Sequence, residues 1–333
     1  MANINETSMA SSIKTQYERR LLPRALPRLV HGRWGQEATW SKFGSYELRR
    51  FESMSAVTSP LGEGSTPAEQ AAPTISSVTL TPVWYGAFVE MTDEVDMTAF
   101  DPILSEISSL LGEQCGLSMD TLIRNALISG ATAAYSGGVS AVGSLDYPQH
   151  KISYKDIVMQ VTALMAANAL HAENGKFMVV IHPHTLATLL QDEVFVNMWT
   201  AETNPEAIRM GKMGTLMQCD FYISSNAYES ADVGAGSTTD VYSALFIGEG
   251  AFATAGFTGL KAKQVDMMGA DEYTGTGKPV KPVQVIIKPL GSGGAEDPLN
   301  QRGTAGWKAT LDTEILQSTW MRNLYHVNDF SDS

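Results

Sequence analysis

The sequence is poor in the features that announce chemistry. It holds two cysteines, Cys115 and Cys219, far apart and in no metal-ligand spacing. That excludes a disulfide framework and a thiolate metal site, and leaves buried, reduced thiols as the expectation. No apolar run approaches the roughly 18 residues of a membrane-crossing helix; "FMVVI" at 177–181 is among the longest. The opening "MANINETSMASS" lacks the basic start and apolar stretch of a secretion signal, so the chain is expected to assemble in the cytoplasm where it is made. Nucleotide motifs fail as well. In "GEGAFATAG" (248–256), Ala253 holds the third glycine position of G-x-G-x-x-G, and no P-loop lysine follows any glycine run. There is no G-x-S-x-G, and neither cysteine sits in a nucleophile motif. His182 and His184 in "HPH" read as a polar turn after a buried strand, without a third ligand at metal spacing. Asp93, Glu94 and Asp96 gather where a strand meets a helix, which favours the helix's positive end over a cation. No catalytic residue, cofactor or metal is expected.

Charge is unevenly spread. The net charge of −13 argues against a dedicated nucleic-acid binder, which needs clustered Lys and Arg. Yet residues 1–50 hold nine Lys/Arg against four acids, a balance of +5 that leaves −18 for the rest. A basic arm on an acidic body suits contact with a polyanion or with the acidic body of a neighbouring copy. Within that arm, Ile13, Tyr17 and Leu21 recur at i, i+4, i+8 behind Ser11 or Ser12, and Pro23 ends the pattern, which predicts a short amphipathic helix carrying Arg20. Beyond it, Leu26, Leu29, Val30, Trp34, Trp40 and Phe43 are too apolar to remain in water, so a second subunit is expected to cover them.

Two β-rich segments follow, Tyr46–Glu52 and Ser77–Met91, with period-two alternation. Between them, 53–76 is dominated by Ser, Thr, Pro, Gly, Ala and Glu, including "PLGEGSTP" at 60–67. Such a composition forms no core, and a long polar hairpin is marginal in isolation, so this one either is a surface loop or lies on something else. Thr98–Gly130 then predicts a spine-length helix with Leu104, Ile107, Leu111 and Cys115 on one stripe, and Gly112 and Gly116 as possible bends. A second helix starts at "SYKD", with Ser153 as cap and Asp156 three residues on. "KFMVVIHP" predicts a strand, "HTLATLLQD" a helix, "CDFYISSNA" a strand, and "YSALFIGEGAFATAG" a strand into glycine-rich loops; "LKAKQVDMM", "KPVQVIIKPL" and "WMRNLYHV" predict closing strands. The class is α+β without a regular βαβ repeat.

An apolar basic arm, a projecting hairpin, a spine helix, a middle α+β region and closing strands occur here in one order. In that order the chain resembles the major capsid proteins of tailed bacteriophages with the Hong Kong 97-type fold, most closely the N-four-type podovirus group. The stretches that carry the resemblance are "YERRLLPRALPRLV", "PLGEGSTP", "YGAFVEMTDEV" leading into "LGEQCGLSMDTLIRNAL", "VVIHPHTLATLL" with "SSNAY", and "DPLNQRGTAGWKA" with "WMRNLYHV". It implies an N-terminal arm at 1–45, an extended loop at 46–92, a peripheral domain with the spine helix at 93–150, an axial domain at 151–250 and return strands of the peripheral domain at 251–333. It also implies hexamers and pentamers closing an icosahedral shell, a scaffolding protein, a portal protein, a decoration protein, and enclosed double-stranded DNA contacted weakly; no membrane is involved. Subunit contacts are expected at Tyr17, Arg20, Leu21, Trp34, Trp40, Pro60, Glu63 and Pro67. One branch of that family locks its shell with an isopeptide bond from a loop lysine. Here no lysine lies between Lys42 and Lys151, so no cross-link is expected. Two other classes stay open to the sequence: an encapsulin-like compartment shell, and a soluble α+β enzyme without a recognisable motif.

Overall fold

The computed structural model describes residues 29–37, 45–51, 54–58, 60, 63–64, 66, 69–70, 72–94, 103–171, 175–202, 215–216, 218–256, 283–288, 299 and 301–330. One helix organises it. α1 (Ile103–Gly130) runs 28 residues, about 42 Å at 1.5 Å per residue. It passes unbroken through Gly112 and Gly116; the expected start at Thr98 lies outside the described residues. Leu111, Cys115, Met119, Ile123 and Leu127, spaced three and four apart, form its buried stripe. That stripe packs on two sheets at once.

The first sheet is built around β13 (Arg302–Ile315), a 14-residue strand. Along one edge it pairs antiparallel with β4 (Val83–Thr92), from Arg302↔Thr92 to Leu311↔Val83. Along the other it pairs with β12 (Val283–Lys288) and then with β11 (Phe252–Gly256), to which β1 (Gln36–Glu37) adds in parallel. Val285, Ala305, Trp307, Ala309 and Leu311 face α1, and the Trp307 indole N–H donates to Gln114 Oε1 at 3.2 Å.

The second sheet runs in the order β5 (Thr132–Tyr135), β14 (Met321–His326), β10 (Val241–Ile247), β6 (Phe177–Ile181), β8 (Cys219–Ile223), β7 (Thr215–Leu216), with β9 (Glu229–Ser230) beside β10. Met178, Leu245, Ile247 and Met321 meet α1 on one face. On the other, Phe177, Val179, Ile181, Phe221, Phe246 and Leu324 receive Ile157, Val161 and Leu164 of α2 (Tyr154–Ala166), Leu189 of α3 (Pro183–Leu189) and Phe195 of α4 (Glu193–Glu202). A strand covered on both faces is mostly apolar; all seven residues of β10 are buried, and its one short polar side chain, Ser243, donates to Asn323 Oδ1. Ser153 and Asp156 form a reciprocal capping box on α2. His182 caps α3 through its ring Nδ1, which accepts from the His184 N–H at 3.2 Å ahead of Pro183, so the "HPH" turn is a helix start.

The third element is a two-stranded ribbon. β2 (Tyr46–Phe51) pairs antiparallel with β3 (Ile75–Leu80), from Tyr46↔Leu80 to Phe51↔Ile75. The expected single strand over Ser77–Met91 is therefore two, broken at Pro82. Proline has no N–H for the ladder, and the preceding Thr81 N–H is taken by the Asp312 carboxylate. β3 stays with the ribbon and β4 crosses into the first sheet. β13 lies within the expected return strands of 251–333 but was not marked as a strand by its own residue pattern, while the expected strand "LKAKQVDMM" lies outside the described residues.

Where β11 meets β13 the backbones leave no room. Gly256 has φ +110, and a Cβ there would stand 2.1 Å from the Thr310 carbonyl oxygen. Gly256→Ala is expected to cost about 3 kcal/mol or more, from strain and displacement of β13 together. Urea unfolding of the purified subunit measures it, and an unchanged midpoint would refute the close approach.

Candidate assembly surfaces

Among the described residues, the ribbon meets its own chain along β2 and β3. Leu80 packs with Ala253 and Ala255 of β11, and Tyr46, Leu48 and Leu316 complete that small cluster. Beyond the base the apolar side chains have no cover. Phe51 is 66% exposed, Met54 55%, Val57 67% and Ile75 54%. Isolated exposed apolar residues are ordinary on a surface, but four along one slender projection are an interaction surface. At the tip, Glu63 and Gly64 form an exposed turn; Gly64 has φ +76 and nothing within 4 Å of a Cβ built there. Pro60 is exposed beside it.

A second surface is the outer face of the first sheet. Phe88 and Ile286 flank Gly306 in one row, and they are 71% and 43% exposed. Lys308 stands 4.2 Å over the Trp84 ring on the same face, and Arg302 Nε lies 3.3 Å from Glu90 Oε1. β4 is an edge strand, its outer ladder unpaired within the described residues.

The segment 29–37 behaves differently from the expected arm. Leu29 is 2% exposed within the α1 core. Asp120, wholly buried on α1, accepts the Val30 and His31 backbone N–H groups on Oδ1, and His31 Nδ1 and Asn226 Nδ2 on Oδ2, all at 2.8 Å. Burial pushes this carboxyl up, but the His31 ring, the Asn226 amide and the His31 N–H outweigh it and hold it below the usual carboxylate range. Trp34 stacks obliquely on Tyr222 at 4.7 Å and packs on the same core. Of the expected contact residues, then, Pro60 and Glu63 are on an exposed tip, while Trp34 is engaged within its own chain. Tyr17, Arg20, Leu21, Trp40 and Pro67 lie outside the described residues. Sequence reasoning did not single out Phe51, Met54, Val57, Ile75 or Phe88. Alternation assigns each a face; it does not say which face stays uncovered.

Both thiols are buried, and burial pushes each up to about 12, so neither is a nucleophile. Among the described residues no group of three His, Cys, Asp or Glu is placed to hold a metal ion, and no helix is long and apolar enough to cross a membrane.

A spine helix wedged between two sheets, with a projecting ribbon and an exposed edge strand, defines a shell-building subunit of the Hong Kong 97-type capsid fold. The chain is similar to the capsid of cyanophage Pam1 at 14% identity and a TM-score of 0.63, over 92% of this chain and 93% of that one. It is similar to the capsid of Ralstonia phage GP4 at 14% and 0.61, over 90% and 88%, and to the capsid of Helicobacter pylori bacteriophage KHP30 at 11% and 0.58, over 90% and 89%. No curated protein matches by sequence. The family model described as phage capsid protein matches residues 76–320, and the chain belongs to that family. It is a major capsid protein, a structural component of the virion shell.

Proposed function

We propose that copies of this chain close as hexamers and pentamers into an icosahedral shell around double-stranded DNA, assembling in the host cytoplasm on a separate scaffolding protein and around a portal. The four apolar residues of the ribbon that stay exposed among the described residues carry this reading: such a projection is stable when it lies on a neighbour. α1, residues 93–150 and the strands beyond 251 form the peripheral domain, the second sheet with α2 to α4 the axial domain, and 46–92 the extended loop; the narrower affiliation with N-four-type podoviruses rests on the quoted stretches alone. DNA contact is weak and non-specific, since the chain is acidic outside its first 50 residues. The role is mechanical, and no catalytic step is involved.

Interlock is non-covalent, because the ribbon carries no lysine; a decoration protein adds further contacts where one is present. Purified with its scaffold, the protein is expected to sediment as rings or shells. Boiled in detergent, those particles should run as a single band near 36 kDa. A stable monomer under all conditions would end the shell reading, and a ladder of multimers would end the non-covalent one.

A further inference from the structure

The helix that organises the fold keeps one flank bare. On α1, Leu110, Gln114 and Leu117 recur four and three residues apart, and all three are exposed among the described residues. β4 borders that flank. Gln114 takes the Trp307 indole, and Ala87, which stands opposite Trp307 on the ladder, packs against the α1 core. Two residues to either side on the same face of β4, Tyr85 and Val89 stand opposite Ala309 and Ala305, yet both are more than a third exposed; Val83, opposite Leu311, is more than half exposed. These side chains point towards the helix and stay in water, so they form one wall of a shallow apolar groove whose other wall is Leu110 and Leu117.

The chain itself leads an occupant to this groove. Its first described residue, Leu29, is seated in the α1 core, and the Val30 and His31 N–H groups are held by Asp120, three residues beyond Leu117. At 3.6 residues per turn, Asp120 stands about 60° from Leu117 around the helix. Residue 28 therefore leaves beside the bare flank. In the sequence before it, Ile13, Tyr17 and Leu21 share one face of the expected helix over about 12 Å, and Leu110 to Leu117 spans about 10 Å. From Leu22 to Leu29 the chain reaches at most about 25 Å, while about 15 Å of α1 separates Asp120 from Leu110. Charge agrees: residues 11–22 carry Lys14, Arg19 and Arg20 against Glu18, whereas α1 carries Glu106 and Glu113 and no base before Arg124.

We propose that residues 11–22 fold back within their own chain and lie along this flank of α1, with Ile13, Tyr17 and Leu21 in the groove between Leu110, Leu117 and β4. Tyr17 and Leu21, expected from the sequence as contacts between subunits, then serve their own subunit. Arg19, on the opposite side of the helix from Tyr17, stays free for a neighbour or a polyanion. Docking of this kind belongs to the single subunit and does not depend on how copies assemble.

Thiol labelling of the full chain tests this. Cys115 and Cys219 are buried, with both thiols pushed up to about 12, so neither reacts with a maleimide at neutral pH. With Leu117→Cys as the probe, adding Ile13→Asp and Tyr17→Asp should speed labelling about ten-fold, because the charges expel the segment from the groove. With Met159→Cys on α2 as the probe, an exposed site away from α1, the same two changes should alter nothing. Protection of the Leu117→Cys probe should also survive dilution, as a contact within one chain must. Should that variant fold poorly, Leu110→Cys reads the same flank. The pair Tyr17→Cys and Leu117→Cys, oxidised in dilute solution, should close within one chain, leaving a single band near 36 kDa whose peptide map joins the two sites. Labelling that the aspartates leave unchanged overturns the proposal. So does protection lost on dilution, or a bridge found only between chains, either of which gives the groove to a neighbour's arm. Shells that assemble normally alongside any of these results leave the shell reading intact.

Discussion

Removal of residues 1–28 is expected to leave a folded subunit that makes few normal shells, whereas removal of residues 1–37 is expected to unfold it. The difference lies in nine residues. The longer truncation deletes Leu29, whose burial contributes about 2 kcal/mol. It also strips three of the four hydrogen bonds that Asp120 accepts, leaving a carboxylate wholly buried beside Asn226 alone. Leaving a buried acceptor without its partners costs about 1–3 kcal/mol, and more when that acceptor is charged. β1 goes too, and with it the cover on β11. The sum approaches the whole stability of an ordinary domain, about 5–15 kcal/mol. The shorter truncation touches none of this. It removes the basic amphipathic stretch and its arginines, whose loss is felt between subunits. Circular dichroism and electron microscopy of the two truncated proteins measure the two effects independently. A folded 38–333 protein would show that the Asp120 cluster is dispensable, and normal shells from the 29–333 protein would show that the arm serves no neighbour.

The same nine residues mark where sequence reasoning reached its limit. A run with Leu29, Val30 and Trp34 is visibly too apolar for water, and that much was legible. Whether it is covered by its own chain or by another is decided by Asp120, ninety residues away on a helix, and no local pattern encodes that pairing. β13 was illegible for a different reason. Its inward positions alternate properly, but they are Gly303, Ala305, Trp307, Ala309 and Leu311. A central strand squeezed between β4 and β12 uses small residues, and small residues carry little hydrophobic signal. Gly306 shows the pressure directly, since a Cβ there would stand 2.8 Å from the Ala87 carbonyl oxygen. By contrast, α1, α2 and β10 were legible because stripe, capping box and apolar run each rest on adjacent residues. The ribbon was legible as a pair of strands with a coreless tip, and Glu63 as its apical charge.

Acid is expected to loosen the second sheet well before carboxylates titrate, through His326. This ring is fully buried on β14; its Nδ1 lies 3.1 Å from the Leu324 carbonyl oxygen and its Nε2 2.9 Å from Thr185 Oγ1 on α3. The carbonyl can only accept, so Nδ1 carries the proton and the neutral ring takes the Thr185 hydroxyl on Nε2. Burial pushes His326 down to about 4; the Leu324 carbonyl and Asp156 pull the other way, and His182 adds to the depression. His182 is itself lowered, first by burial, against the attraction of Glu229. The unfolded chain binds these protons near pH 6.5 and the folded one does not, so the unfolded state holds more protons between the two values. Stability is therefore full above about pH 6.5 and falls as the pH drops towards 4, by about 3 kcal/mol for His326 alone. The alkaline side is bounded by the thiols: Cys115 and Cys219, raised to about 12, oppose unfolding less as the pH climbs past the ordinary thiol range, because only the unfolded chain then ionises. Urea midpoints of the subunit should thus form a plateau between about pH 6.5 and 9. His326→Gln should flatten the acid limb while lowering the plateau, since an amide can meet both partners but never charges. An acid limb of unchanged depth in that variant would place the titrating group elsewhere.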